Sequence, residues 1–272
     1  MQPLEALRHE PHISVSSLST YLKCPRKWRL HYLERAEASH RSIGLVFGHA
    51  WHALIGFLLM THQRGQKLER SVLREYFADA LRRELESDGP PILFDDEEDE
   101  DALLTIGARM LDAFLDRVPL PDRVLHVELP FRLELFDPET GEALSAPLIG
   151  AIDAVVEFSQ RQRQEIWELK SGRRRWAQDA VLYDFQPTAY RMALRARTFA
   201  ERRARPDADL KLIVTTKAKT PDVQIENLVR GDDDERDLAE TAAGVMRATR
   251  AGCYFPRRTF FCGGCEYAEV CR

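Results

Sequence analysis

The sequence predicts an α/β protein in which a mixed β-sheet is flanked by helices. Two observations carry this prediction. Through most of residues 14–117, apolar residues recur with the period of a helix. From 124 to 230, alternating segments of strand length are separated by polar turns and by one helical segment.

Helices are predicted first along the chain. A Ser-rich segment that can cap a helix opens residues 14–34. Stretches of helical length with an apolar face follow at 48–62, 66–87 and 101–117. The Pro-rich segment 118–122 ends this helical region.

Strands and two further helices are predicted in the second half. The strands are predicted at 124–136, 148–158, 164–172, 210–218 and 223–230. Residues 184–203 predict a helix, because Asp184 can cap it and Pro187 is tolerated in its first turn. A last helix is predicted at 235–252, ending near Gly252.

The charge of the chain is unevenly distributed. Its formal net charge is −5, but residues 95–101 read DDEEDED, and without these seven acids the chain would carry +2. Because local basic patches matter more than the total for binding an anionic polymer, the total does not exclude nucleic acid as a partner. The acidic run lacks the ligand spacing of a calcium loop, so we expect a solvated loop.

Signals for secretion or membrane insertion are weak in this sequence. Its first ten residues lack the apolar stretch of a secretory signal, and the apolar stretch 53–60 is too short to span a bilayer. We therefore expect a cytoplasmic protein without a membrane partner. In that compartment five cysteines indicate metal ligands or reduced thiols before disulfides.

Three charged residues occupy strand positions where apolar residues are expected. Asp153 interrupts one predicted strand, and Glu168 and Lys170 interrupt the next. Because side chains alternate along a strand, Glu168 and Lys170 face the same way. Carboxylates can hold a divalent cation that activates water against a phosphodiester, and a lysine can stabilise the charge that develops on the phosphate. The alternative is a salt bridge on a solvated sheet face.

Four short motifs occur in an order that resembles a known family. They are GHAWH (48–52), GAID (150–153), ELKSG (168–172) and QPTAY (186–190). Together they are similar to the RecB-like branch of the PD-(D/E)xK nucleases, from about residue 14 to the C-terminus. The resemblance implies a restriction-endonuclease-like core in a single nuclease domain over 1–272, with a helical insertion at 63–120.

The resemblance also implies roles for individual residues. The ligands of a catalytic Mg²⁺ or Mn²⁺ ion would be His52, Asp153, Glu168 and the carbonyl oxygen of Leu169. Lys170 would be the catalytic lysine. Gln186 and Tyr190, which lie four residues apart on one helix face, would line the site near the substrate phosphate. We expect His49, the other histidine of GHAWH, to be an ordinary residue of the helix surface.

The cysteines predict a second metal centre. Its four candidate ligands are Cys24, Cys262, Cys265 and Cys271. Ligand type alone leaves open a zinc ion or an iron–sulfur cluster. The resemblance favours a [4Fe–4S] cluster, which would join residue 24 to residues 262–271 as a staple. Cys253 would be a free, buried thiol.

Basic and aromatic residues follow ELKSG directly. They are Arg173, Arg174, Arg175 and Trp176. They suit a single-stranded backbone and a stacked base, although a solvated loop is the alternative. With the resemblance, they predict an exonuclease for single-stranded or end-containing DNA. Repair, recombination and CRISPR spacer acquisition are candidate pathways, with a helicase or a CRISPR adaptation protein as candidate partner. The alternative is a non-catalytic DNA-binding or scaffold protein with a zinc or iron–sulfur staple.

Overall fold

The fold is known from a computed structural model that describes residues 3–95, 98–159, 163–196 and 208–271. Part of the acidic run and the end of the predicted helix 184–203 lie outside the described residues. The chain forms two compact units. Unit 1 contains residues 1–41, 130–151 and 230–272, and unit 2 contains residues 42–129 and 152–229. The single-domain organisation therefore stays a prediction.

The first half of the chain is mainly helical. The helices are α1 (Leu4–Leu7), α2 (Val15–Lys23), α3 (Pro25–Trp28), α4 (Ile43–Gln63), α5 (Arg70–Glu86) and α6 (Glu100–Arg117). A π-helical turn, Arg29–Leu33, follows α3. Two short strands lie among them, β1 (Arg41–Ser42) and β2 (Ile92–Leu93). Helices α5 and α6 lie within the predicted insertion.

The second half contains the long strands. They are β3 (Arg123–Leu133), β4 (Leu148–Phe158), β5 (Arg163–Gly172), β6 (Asp209–Thr216) and β7 (Val223–Leu228). The helices are α7 (Gln178–Leu182), α8 (Phe185–Arg195) and α9 (Asp232–Arg250), and a 3₁₀ turn occupies Phe260–Gly264.

The five long strands form one mixed sheet in the order β3–β4–β5–β6–β7. Strand β5 pairs antiparallel with β4 and parallel with β6, and β6 pairs antiparallel with β7. A parallel pair needs a crossover connection, and α7 and α8 lie between β5 and β6 in the chain. The mixed sheet with helices confirms the predicted fold class.

Strand β5 shows how the sequence positions the charged residues. Trp167 and Leu169 are 1% and 3% exposed and belong to the core of unit 2. Side chains alternate along a strand, so burial of these two directs Glu168 and Lys170 to the opposite face. Packing of Trp167 and Leu169 in the core therefore determines that Glu168 and Lys170 lie together on the other face of the strand.

Helix α4 supplies much of the core of unit 2. It is long and apolar enough to cross a membrane by length and composition, with a mean hydropathy of 1.7. Its Phe47, Trp51, Leu54 and Ile55 are, however, at most 1% exposed and pack in the core. A buried core helix of a soluble fold accounts for this composition.

Candidate active site

Three metal-ligand side chains of unit 2 converge at one place. They are His52 on α4, Glu128 on β3 and Asp153 on β4, and one ligand atom from each lies within 4.8 Å of the others. The His52 Nδ1 atom lies 3.9 Å from Asp153 Oδ1. Among the described residues, no other group of three such ligands was found. His52 and Asp153 were predicted from the sequence, and Glu128 was not.

Glu128 has an unusual backbone conformation. Its φ angle is +52°, in the left-handed region that residues other than glycine rarely adopt. Such a conformation costs of order 1–3 kcal/mol and persists where the surrounding structure holds it. Here the conformation accompanies a carboxylate that approaches His52 and Asp153.

The backbone of β5 fixes the position of Asp153. The N–H group of Leu169 donates a hydrogen bond of 2.7 Å to Asp153 Oδ2. Burial and the charge of Glu168 raise the pKa of Asp153 well above its ordinary value, and the bond from Leu169 only partly offsets them. Asp153 is therefore costly to ionise until positive charge is added.

Glu168 is one of the most deeply buried acids in the structure. It is 2% exposed and forms an ion pair with Lys170. Its Oε2 atom is buried and has no hydrogen-bond partner in the described part of the chain. A buried carboxylate oxygen without a partner is expensive, and a cation is one way to compensate it.

Lys170 is surrounded by negative charge. Burial alone would lower the pKa of Lys170, but the carboxylates of Glu168, Asp184 and Asp153 outweigh burial and raise it. The lysine is therefore a fixed positive charge rather than a proton acceptor at neutral pH. Its Nζ atom also lies 5.9 Å from the ring centre of Trp176.

Helix α8 adds Gln186 and Tyr190 to the site. Asp184 Oδ1 accepts a hydrogen bond of 3.1 Å from the N–H of Gln186 and caps the helix. The Gln186 Nε2 atom donates a hydrogen bond of 3.0 Å to the Tyr190 hydroxyl. Burial, followed by the charges of Glu168 and Asp153, raises the pKa of Tyr190 well above its ordinary value. The phenol therefore stays protonated beside the carboxylates.

The three-ligand group fits a hard or borderline divalent cation. Oxygen ligands suit Mg²⁺ and Mn²⁺, and one imidazole is compatible with Mn²⁺ or Zn²⁺. Burial lowers the pKa of His52 despite the nearby charge of Glu168, so the ring stays neutral and able to ligate. Two ligand atoms about 2.1 Å from a magnesium ion lie at most about 4.2 Å apart, and the 3.9 Å between His52 Nδ1 and Asp153 Oδ1 is within that limit. Glu168 adjoins this group and lies outside it.

The basic residues after ELKSG are mostly engaged with acids. Arg173 pairs with Asp95 of the acidic run, and Arg175 pairs with Asp222 at 2.7 Å. Arg174 is exposed. Trp176 is half-buried, and its backbone N–H donates a hydrogen bond of 2.8 Å to Gln224 Oε1. Their role in binding nucleic acid stays a prediction.

Four cysteines of unit 1 line one cavity of about 180 Å³. They are the predicted set, Cys24, Cys262, Cys265 and Cys271. None of the five cysteines, all of them described, forms a disulfide. Cys253 does not line the cavity and is exposed, so the expectation of a buried thiol is wrong. The backbone carbonyl of Cys253 accepts a hydrogen bond from Tyr21 Oη.

The sulfur atoms of these cysteines do not form a compact group of three ligands. Among the described residues, no three cysteine sulfurs lie within 4.8 Å of each other. Zn–S bonds of about 2.3 Å place the sulfurs of a tetrahedral site about 3.8 Å apart. The four cysteines therefore line one cavity without forming a compact metal site, and the metal centre that they would hold stays a prediction.

Direct contacts hold the two cysteine-bearing segments of unit 1 together. Lys27 Nζ pairs with Glu266 Oε2 at 2.8 Å, and His31 Nδ1 lies 2.8 Å from the Tyr267 hydroxyl. The Trp28 and Tyr254 rings are stacked with centroids 6.0 Å apart. Residues near Cys24 thus contact the C-terminal segment without a metal ion.

Two acids of the site were missed from the sequence. Glu128 lies between Val127 and Leu129, at a polar position of the alternating segment 125–135. It therefore looks like an ordinary exposed strand residue, and the pattern gave no signal for it. Asp184 was interpreted only as a helix cap, and its second effect, on Lys170, depends on how α8 packs.

Comparisons with known proteins agree with this geometry. A search of the curated proteins finds no match. Among solved structures, the crystal structure of a "putative exonuclease" from Eubacterium rectale is similar, with a TM-score of 0.51 and 16% identity, covering 98% of this chain and 91% of that one. At that identity the likeness shows the fold alone. The model of the PD-(D/E)XK nuclease superfamily matches residues 12–272. The chain therefore belongs to the PD-(D/E)XK nuclease superfamily.

Proposed function

We propose that this protein is a metal-dependent exonuclease that hydrolyses phosphodiester bonds of single-stranded or end-containing DNA. One observation carries the proposal. His52, Glu128 and Asp153 bring three metal-ligand atoms together beside a buried Glu168 and a charged Lys170. The name of the Eubacterium rectale protein supports the choice of exonuclease.

Each residue of the site has a defined role in this proposal. His52, Glu128 and Asp153 hold the cation, with Glu168 and the carbonyl oxygen of Leu169 as further ligands. When bound, Mg²⁺ or Mn²⁺ would polarise the phosphate and lower the pKa of attacking water. The lysine beside these ligands acts on the substrate directly.

Lys170 provides the fixed positive charge of the site. Its raised pKa keeps it protonated, so it can stabilise negative charge that develops on the phosphate oxygens. Tyr190, whose hydroxyl accepts a hydrogen bond from Gln186 and is hydrogen-bonded to Glu168, helps to position that carboxylate. Packing of Trp167 and Leu169 in the core behind β5 keeps Lys170 on the face of the strand that carries the site.

The experiment is a cleavage assay on end-labelled single-stranded and duplex DNA with Mg²⁺, Mn²⁺ or chelator. We expect shortening from the ends with metal, products with 5′-phosphates, and none in chelator. Lys170→Met should reduce the rate by about 100-fold or more, as loss of one charge-stabilising group does. The control is Lys219→Met, an exposed lysine. Cleavage by Lys170→Met at the rate of the control would exclude the mechanism.

We also propose that the cysteine-lined cavity holds a structural [4Fe–4S] cluster. The shared cavity of the four predicted cysteines supports a common metal centre, and the resemblance of the motifs favours a cluster over a zinc ion. Anaerobically prepared protein should be brown, with about four irons per chain. Cys262→Ser should remove the iron, and Cys253→Ser, outside the cavity, should keep it. One zinc and no iron in anaerobic protein would refute the cluster.

The pathway and partner are part of the same proposal. An exonuclease without a helicase motif needs unwound or single-stranded ends, so repair, recombination and CRISPR spacer acquisition are candidate settings. A helicase or a CRISPR adaptation protein would be the partner that supplies those ends. Cleavage of blunt duplex DNA as fast as of single strands would remove the need for such a partner.

A further inference from the structure

Two adjacent phenylalanines of unit 1 are almost fully exposed. Phe260 is 85% exposed and Phe261 is 68% exposed, and their ring centroids lie 4.0 Å apart. They open the 3₁₀ turn Phe260–Gly264, which Thr259 caps by accepting a hydrogen bond from the N–H of Phe261. Paired exposed rings on an ordered turn are unusual on a soluble protein unless they bind something.

The surroundings of these rings are positively charged. Residues 251–265 contain two arginines, Arg257 and Arg258, and no acid. Arg257, Lys23 and Phe261 line one cleft of about 290 Å³. Arg257 donates a hydrogen bond of 3.1 Å to the carbonyl of Leu22, near the end of α2. That anchor holds the guanidinium in place beside the aromatic surface.

We propose that this surface, the Phe260–Phe261 platform with Arg257 and Arg258, is a binding subsite for single-stranded DNA. Unpaired bases stack on aromatic rings, and nearby cations take the phosphates between them. Duplex DNA stacks its bases internally and offers no free face to a ring. The choice of DNA as the polymer rests on the proposed function.

Charge favours nucleic acid over a protein partner. An apolar protein surface that covered the rings would also desolvate the two neighbouring arginines, and the segment supplies no acid to compensate them. Single-stranded DNA has bases that can stack on the rings and phosphates that can pair with the arginines, so it matches both parts of this surface. The platform thus gives the protein a contact with its substrate outside the metal site.

The test measures binding of a fluorescent oligothymidylate in chelator, so that no cleavage is required. Phe260→Leu with Phe261→Leu keeps the apolar character and removes the aromatic faces. We expect about a tenfold loss of affinity per ring, within the range measured for stacking of one base. Phe260→Tyr with Phe261→Tyr should retain binding. Phe136→Leu, another exposed phenylalanine of unit 1, is the matched control.

The arginines are tested by salt dependence. Arg257→Gln with Arg258→Gln should reduce the slope of log affinity against log salt by about 1.4, as loss of two contacts to a single strand requires. The control is Arg236→Gln, an exposed arginine of α9. Iron content measured for each variant reports whether the cysteine cavity is intact.

The outcomes separate the subsite from the nuclease. Loss of oligothymidylate binding in the leucine variant supports the platform even if the protein cleaves no DNA. Unchanged binding in that variant overturns it even if cleavage is metal-dependent. Equal losses for oligothymidylate and duplex DNA would also overturn it, because stacking requires unpaired bases. A surface used only by a protein partner would give the unchanged result.

Discussion

Asp153→Asn should stabilise the metal-free protein while abolishing cleavage. Burial and the charge of Glu168 raise the pKa of Asp153 well above its ordinary value, so ionising Asp153 in the folded state costs free energy. Asparagine keeps an oxygen that can accept the 2.7 Å hydrogen bond from Leu169 and removes the charge. The substitution therefore tests electrostatics with little change in packing.

The size of this stabilisation and the pH range in which it develops follow from the difference between the folded and the unfolded pKa of Asp153. Each unit by which folding raises the pKa of Asp153 costs the ionised folded state about 1.4 kcal/mol, so we expect Asp153→Asn to be the more stable protein at pH 8 in chelator. An unfolded aspartate has a pKa of about 3.9. The gain should be near zero below that pH, because Asp153 is then protonated in both states. It should grow as the pH rises towards the raised folded pKa of Asp153 and then level off.

The assay is urea unfolding of both proteins in chelator from pH 4 to pH 8. The lowered pKa of His52 changes the free energy of unfolding in the opposite direction. As the pH falls below about 6.5, protonation of this histidine favours the unfolded state. The difference between the two proteins cancels the part of this effect that does not depend on the charge of Asp153. Asp237→Asn, at an exposed position of α9, is the control. A difference that is constant with pH, or a less stable Asp153→Asn at pH 8, would refute the reasoning.

Two other predictions concern metal binding and packing. Glu128→Gln should weaken Mn²⁺ binding by about tenfold or more and reduce the rise in melting temperature that Mn²⁺ causes; equal protection of both proteins by Mn²⁺ would remove Glu128 from the site. A Cβ atom at Gly107 would lie 2.0 Å from the Phe77 ring, so Gly107→Ala should cost about 1–3 kcal/mol in urea unfolding. Gly244→Ala, on α9 with open space around the added atom, should instead gain about 0.5–1 kcal/mol.

Regular patterns made much of the fold predictable. Strand β4 has the predicted bounds, 148–158, because this segment is apolar along most of its length, and six of its eleven residues are buried. Helix α8 begins beside Asp184, whose side chain caps it as predicted. Helix α4 begins at Ile43, before the predicted residue 48. The reason is that Ser42 caps it, by accepting a hydrogen bond of 3.3 Å from the N–H of Leu45.

The site was less predictable because its members come from five separate elements. The spacing within β5 was enough to pair Glu168 with Lys170. Nothing in the local sequence gives the backbone angle of Glu128 or its approach to His52. Such a contact depends on how α4 packs on the sheet, which is a property of the whole core.

The acidic run shows why charge must be assessed by its pairing. The net charge of +2 that was obtained without this run treats all seven of its carboxylates as solvated. Glu98 instead holds Lys217 at 2.9 Å, and that lysine side chain is only 6% exposed. Asp95 pairs with Arg173, and Asp99 caps α6 by accepting a hydrogen bond of 2.8 Å from the N–H of Ala102. A phosphate that approaches Arg173 must therefore displace a carboxylate, so this arginine contributes less to binding nucleic acid than its formal charge indicates.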